Sequence, residues 1–191
     1  KEFEMKMLID GVGFIGEVHL KTIKKYGLSD IAMCDTNPER LEKITEKYNI
    51  KEAYNSIDDA VGNNFDGVLI CTPNDTHSSH AIKFLEKGVG VFVEKPMAHN
   101  TKVAEEMVTI AEKNNSFIFV AYVARFMEPF IKMKELITSG ELGEVFSMRA
   151  IVSSRRTLTD AISNYRGNTK FGGCIIHDYS HKKLIIINHL F

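Results

Sequence analysis

Near the end of this 191-residue chain, His177, Asp178, Tyr179 and His181 stand within five positions of the segment GGCIIHDYSHKKLIIINHLF, between apolar runs. Imidazoles and a carboxylate are costly to bury without partners, so such a cluster needs either solvent or a task. Proton transfer suits it: an imidazole titrates near neutral pH, and a carboxylate three residues away can orient or polarise it. A purely structural cluster on a strand tip is the alternative.

A second set lies at the other end. In MLIDGVGFIGEVHL, Gly11, Gly13 and Gly16 take GxGxxG spacing between an apolar run and an amphipathic one. That context predicts a strand, a tight turn and a helix. Gly11 allows the turn, Gly13 lets a pyrophosphate approach the backbone, and Gly16 lets the helix pack on the sheet. The helix opening, with Phe14 and Ile15, then turns its amides and positive end to the phosphates. A glycine turn without a ligand is the competing reading. An acid is expected about 20 residues on, at the end of the second strand, to accept from the adenosine ribose. Asp35 follows IAMC and stands 19 residues after Gly16. Its charge repels a 2′-phosphate, which favours NAD over NADP, while Arg40 one turn later keeps NADP possible. A helix cap is the plainer role for Asp35.

The third set is in the middle. VLICTPNDTHSSH places Thr72, Pro73 and Asn74 after an apolar run, with His77 following, and VGVFVEKPMAHN does the same for Glu94 and Lys95. Ligands of open α/β sheets collect at the carboxyl ends of strands, so these residues complete the candidate coenzyme set. Lys95 lies between a strand and a rigid proline, a setting that aims its ammonium. His77 and His80, three apart, have no carboxylate that completes a ligand set, and no metal is expected. Arg125 either clamps a substrate oxygen or joins the domains by a salt bridge.

The elements that hold these residues follow from periodicity. Apolar runs at Met5–Ile9, Ile31–Cys34, Val68–Cys71, Gly90–Val93 and Phe117–Val120, with a weaker one at Lys51–Tyr54, lack strict alternation and predict a parallel sheet covered on both faces. Ile15, Val18, Thr22, Ile23 and Tyr26 mark one helical face, and Val103, Met107, Ile110 and Ala111 another. After Val120 the rhythm changes. A helix is expected from about Pro129 to Ser139 with Gly140 closing it, then a long strand through Val145–Val152 and a polar loop over 155–171.

Composition narrows the class. The chain is 44% hydrophobic and 26% charged, with 24 basic against 25 acidic residues, which fits neither a disordered segment nor a nucleic-acid-binding surface. Cys34, Cys71 and Cys174 have no ligand-like spacing, and no run approaches the length of a membrane span. A soluble cytoplasmic protein is expected.

Taken in order, GVGFIG..H, CTPN..H, EKPMA, Y..RF.P......I..G.LGEV and GG.I.HDYSH resemble the Gfo/Idh/MocA family of NAD(P)-dependent oxidoreductases, from residue 5 to about residue 181. The resemblance implies a Rossmann domain over 1–121 and an α+β substrate and oligomerisation domain over 122–191. It implies hydride transfer between NAD(P) and a secondary hydroxyl of a sugar, inositol or nucleotide sugar. Lys95 inherits assistance at the reacting oxygen, His181 the proton transfer, and Asp178 the acid three positions before it. Lys182, Lys183 and Leu184 depart from the acid-containing continuation of similar members. Only ten residues follow His181, so an incomplete second domain is expected, with a homo-oligomer covering its exposed sheet edge. A coenzyme-binding fragment or regulatory homologue without turnover is the alternative.

Overall fold

The computed structural model of the chain describes residues 5–149. The chain divides into two compact units, Lys1–Ala121 and Tyr122–Phe191. The first holds six parallel strands, β1 (Met7–Asp10), β2 (Ile31–Cys34), β3 (Glu52–Tyr54), β4 (Gly67–Ile70), β5 (Gly90–Val93) and β6 (Ile118–Val120), in the order β3-β2-β1-β4-β5-β6. Helices α1 (Phe14–Lys25), α2 (Pro38–Tyr48), α3 (Ile57–Val61), α4 (His77–Leu85) and α5 (Thr101–Lys113) form the crossovers. This is the expected Rossmann-type α/β architecture.

The unbroken apolar runs are explained by two cores, one on each face. Leu20, Leu41 and Ile44 from α1 and α2 pack on Ile9, Met33 and Leu69. Ala81, Phe84, Leu85, Met107 and Ala111 from α4 and α5 pack on Leu8, Cys34, Val68, Ile70 and Val93. Since β2 and β4 are buried at every position, neither shows the alternation of a half-wet strand. The order in which strands are added reverses between the parallel neighbours β1 and β4, so the connections leave a crevice at their carboxyl ends.

Two expectations shift. The first strand runs Met7–Asp10, two residues later at its start than the apolar run indicates, because pairing begins at Met7↔Ile31 and continues through a buried aspartate. The buried face of α1 is Gly16, Leu20 and, partly, Ile23, whereas Ile15, Val18 and Tyr26 are exposed. Apolar periodicity missed that stripe because its first member has no side chain. On α5 the expected face holds: Met107 and Ala111 are buried, and Val103 and Ile110 pack against them.

In the second unit, a 3₁₀ turn (Val123–Phe126) precedes α6 (Glu128–Thr138), which has Pro129 in its first turn and Gly140 just beyond its end at φ +78°. These are the expected start and stop signals. The expected long strand is absent over residues 145–149, and its remainder and the 155–171 loop lie outside the described residues.

A polar staple ties α1 to α2. Glu17 Oε1 accepts from Lys47 Nζ at 2.8 Å and Tyr48 Oη at 2.6 Å, with Lys21 Nζ 3.2 Å away. The Lys47 bond, then those of Tyr48 and Lys21, pull the Glu17 carboxyl from 4.5 down to about 2. The unfolded chain therefore takes up a proton at Glu17 before the folded chain does. The staple's contribution is complete above the unfolded value and is lost as pH falls toward about 2. Urea titrations between pH 6 and pH 2 should show a smaller acid-induced loss of stability for Glu17→Gln than for the wild type; equal losses would remove Glu17 from that balance.

Candidate functional site

The glycine turn sits between β1 and α1, at the reversal of the sheet. Gly11 has φ +92°, and a Cβ there would stand 2.8 Å from the Cys71 carbonyl carbon and the Thr72 nitrogen. A Cβ at Gly16 would overlap the Gly11 carbonyl oxygen. At Gly13, in contrast, nothing lies within 4 Å of the Cβ direction. Two glycines are thus demanded by the protein's own packing, and the third faces open space where a ligand backbone approach needs it.

Caps divide the helices. Asn37, Ser56 and Asn100 bond the first-turn amides of α2, α3 and α5. By contrast α1 and α4, which follow the two central strands, have no side-chain cap bond. The first amides of a helix lack intrahelical acceptors and carry its positive end. At the crevice those of α1 stand beside Gly13, with Phe14 78% exposed. The residues present therefore fit a dinucleotide's phosphates.

Asp35 follows β2 directly and is nearly buried. Its Oδ2 accepts the Val12 amide and its Oδ1 the Asn37 amide, each at 2.9 Å. The carboxylate thus links the glycine turn to the cap of α2, and Arg40 Nη1 stands 3.7 Å from Oδ2. Asp35 and Arg40 thus stand together at this strand end, and the bonds Asp35 makes here are to the chain's own amides.

At the ends of β4 and β5 the candidates come together around histidines. Thr72 Oγ1 accepts from Thr76 Oγ1 at 2.8 Å, and Pro73 O caps the same turn through Thr76. Asn74 follows in that turn. His77, 1% exposed, has Nδ1 2.7 Å from the Pro96 carbonyl oxygen and Nε2 2.9 Å from that of Thr72. The ring satisfies both carbonyls only when each nitrogen carries a hydrogen. Glu94 Oε1 lies 2.8 Å from His19 Nε2, and Oε2 accepts the Lys95 amide at 3.3 Å. His19 was not singled out from the sequence, although it closes the GVGFIG..H motif.

Another pair was missed altogether. Asp10, 2% exposed, meets His80 Nδ1 at 2.5 Å. Burial first, then the Asp10 charge and its bond, push the Cys34 thiol up. Burial, then Glu94 and Asp10, does the same to Cys71. Neither thiol is a nucleophile at neutral pH. Among the described residues no three His, Cys, Asp or Glu side chains converge as a metal set, and no helix is long and apolar enough to cross a membrane. In the second unit Arg125 lies 5.7 Å from the Tyr122 ring centroid, and burial raises the Tyr122 hydroxyl pKa. Asp178 and His181 lie outside the described residues.

Residues 5–122, more than half of the chain, match the family described as "Oxidoreductase family, NAD-binding Rossmann fold". The chain belongs to the Gfo/Idh/MocA oxidoreductase family. Its Rossmann domain is a NAD-binding one. Among similar proteins, the myo-inositol 2-dehydrogenase of Thermotoga maritima is 27% identical over 185 residues, 95% of this chain and 55% of the relative. The scyllo-inositol 2-dehydrogenase (NAD(+)) of Bacillus subtilis is 26% identical over 187 residues, 93% of this chain and 53% of the relative. The chain thus spans about half the length of these curated relatives. Among solved structures, the WlbA dehydrogenase of Bordetella pertussis, in complex with NADH and UDP-GlcNAcA, superposes with a TM-score of 0.71 at 26% identity, covering 75% of this chain and 44% of that one.

The contrast among glycines is measurable. Gly11→Ala and Gly16→Ala should each lose about 2 kcal/mol or more, as overpacked sites do, while Gly13→Ala should stay within about 1 kcal/mol of the wild type in urea denaturation. A Gly16→Ala protein as stable as the wild type would contradict the close helix–strand approach. His80→Ala should cost about 3 kcal/mol by leaving the Asp10 carboxylate buried without its partner. Replacing both by leucine should cost clearly less; equal losses would show that the pair is not what the site depends on.

Proposed function

We propose that this chain is the coenzyme-binding part of a dehydrogenase that moves a hydride between NAD and a secondary hydroxyl of an inositol or sugar. The observation that carries the reading is the gathering, at one carboxyl edge, of an uncapped glycine turn, an acid at the end of β2 and a lysine at the end of β5. The names of the relatives, inositol dehydrogenases over nearly the whole chain, supply the substrate class.

Each residue has a stated part. The α1 amides near Gly13 bind the pyrophosphate, and Asp35, which keeps lone pairs beyond those used by Val12 and Asn37, accepts from the adenosine ribose. The same carboxylate disfavours a 2′-phosphate, while Arg40 at 3.7 Å moderates that preference. Thr72, Pro73, Asn74 and Glu94 line the way from the phosphates toward Lys95. The bound nicotinamide supplies the hydride acceptor or donor. Lys95 donates to the substrate oxygen where charge develops, His181 takes or returns the hydroxyl proton, and Asp178 orients it.

Calorimetric titration of the purified chain tests the coenzyme part. NAD should bind more tightly than NADP, and Gly13→Val should lower NAD affinity about tenfold or more without loss of fold. Asp35→Ala should narrow the difference between the two coenzymes. Unchanged NAD affinity in the Gly13 variant would rule out this placement of the phosphates. NAD reduction with myo-inositol or scyllo-inositol, abolished by Lys95→Ala, separates a dehydrogenase from a binding protein without turnover.

A further inference from the structure

Lys95 stands on the loop that leaves β5, and such loops sample many conformations unless their backbone is tied down. Here both neighbours of the lysine are tied, each to a different helix and each by a histidine. On the amino side, Glu94 is divided between two tasks. One oxygen meets His19 Nε2 from α1 at 2.8 Å, and the other accepts the Lys95 amide at 3.3 Å. The carboxylate therefore grips the very peptide unit that carries the lysine. His19 is itself held, its ring edge set against Phe92 at 5.8 Å between centroids, and Phe92 stacks on Phe119 at 5.0 Å.

On the carboxyl side, the Pro96 carbonyl oxygen lies 2.7 Å from His77 Nδ1, and the second nitrogen of that ring lies 2.9 Å from the Thr72 carbonyl oxygen. His77 belongs to α4 and is 1% exposed, so water does not compete for the ring's place between the two carbonyls. It joins the loop after β5 to the loop after β4. The helices α1 and α4 pack on opposite faces of the sheet. Lys95 is thus held from both sides of the sheet.

We propose that His19 and His77 are positioning residues for Lys95, a two-sided clamp that fixes the backbone on which the lysine stands. The inference rests on the reading of Lys95 as the group that acts at the reacting oxygen. A freely moving lysine spreads its charge over a volume; one whose backbone is fixed starts each encounter from the same place, and placement within about 0.5 Å is what an acting group requires. The glutamate of the EKP element then has a defined task of its own, as the link that carries the position of α1 to the lysine.

The full chain, with its lysine Cε atoms labelled with carbon-13, tests this directly. The Lys95 signal is identified by its absence in Lys95→Arg. In His19→Gln and in His77→Gln it should move toward the position of a solvated lysine. The signal of Lys24, whose Nζ donates to the Tyr48 carbonyl at 2.9 Å within the same domain, should stay in place. A Lys95 signal unmoved in both variants overturns the clamp, and so does a Lys24 signal that moves with it, since that reports general loosening. If His77→Gln does not fold, His19→Gln, on α1, decides alone.

Titration with NAD and with ADP-ribose, which lacks the nicotinamide, gives the second reading. Each histidine variant should weaken NAD about tenfold and leave ADP-ribose unchanged, and neither should add a further loss in a Lys95→Ala background. An undiminished loss in that background overturns the positioning role. If Lys95→Ala itself leaves NAD affinity untouched, the lysine serves the substrate oxygen without touching the nicotinamide, and the lysine signal alone decides the clamp.

Discussion

The close approach of α1 to the end of β1 is the constraint on which the rest of the domain hangs. Gly16 has no room for a methyl group against the Gly11 carbonyl oxygen, and Gly11 has none against the start of the β4 loop. Once the helix is seated at that distance, its orientation follows: Leu20 and Ile23 turn inward behind Gly16, and Ile15 and Val18 turn out. Its first amides are delivered to the crevice without a capping side chain. The same contact brings the glycine turn beside Thr72, so the phosphate end and the strand ends of β4 and β5 share one edge.

Around that edge the domain buries more polar chemistry than a parallel sheet needs. Asp10 would be an uncompensated charge in the core without His80, Glu94 is met by His19, and His77 closes on two carbonyls. Buried polar groups are tolerated when every partner is present, and once satisfied they restrict the backbone to one arrangement. Three histidines thus act as internal fasteners at the carboxyl edge, and each bridges a helix to a strand end. The cysteines beside them are held as neutral thiols by burial and neighbouring carboxylates, which leaves them as packing atoms.

Legibility in the sequence followed the strength of the local signal. All six strands were legible, including the weak β3, because fully buried parallel strands read as apolar runs set between turns. The ends of α6 were legible from Pro129 and Gly140. The face of α1 was misread because a glycine contributes nothing to an apolar stripe. The strand expected after Val145 does not begin over residues 145–149, since alternation marks only a capacity to pair and a strand forms when a partner edge accepts it. Of the candidate residues, those expected at strand ends stand at strand ends, whereas His19, His80 and Asp10 had no local sign of their partners.

By itself, then, the sequence determined the element order, the parallel α/β class, the glycine turn with Asp35 at the next strand end, and the family to which residues 5–122 belong. All of these are written in neighbours within one strand, one turn or one helix. Only the tertiary structure decided which side chains meet across 70 or 75 residues of chain, as Asp10 does with His80 and His19 with Glu94. Such meetings depend on crossover helices landing on a twisted sheet at a distance set by packing. Hydrogen bonds form over about 3 Å and carry no trace in the spacing of the residues that make them.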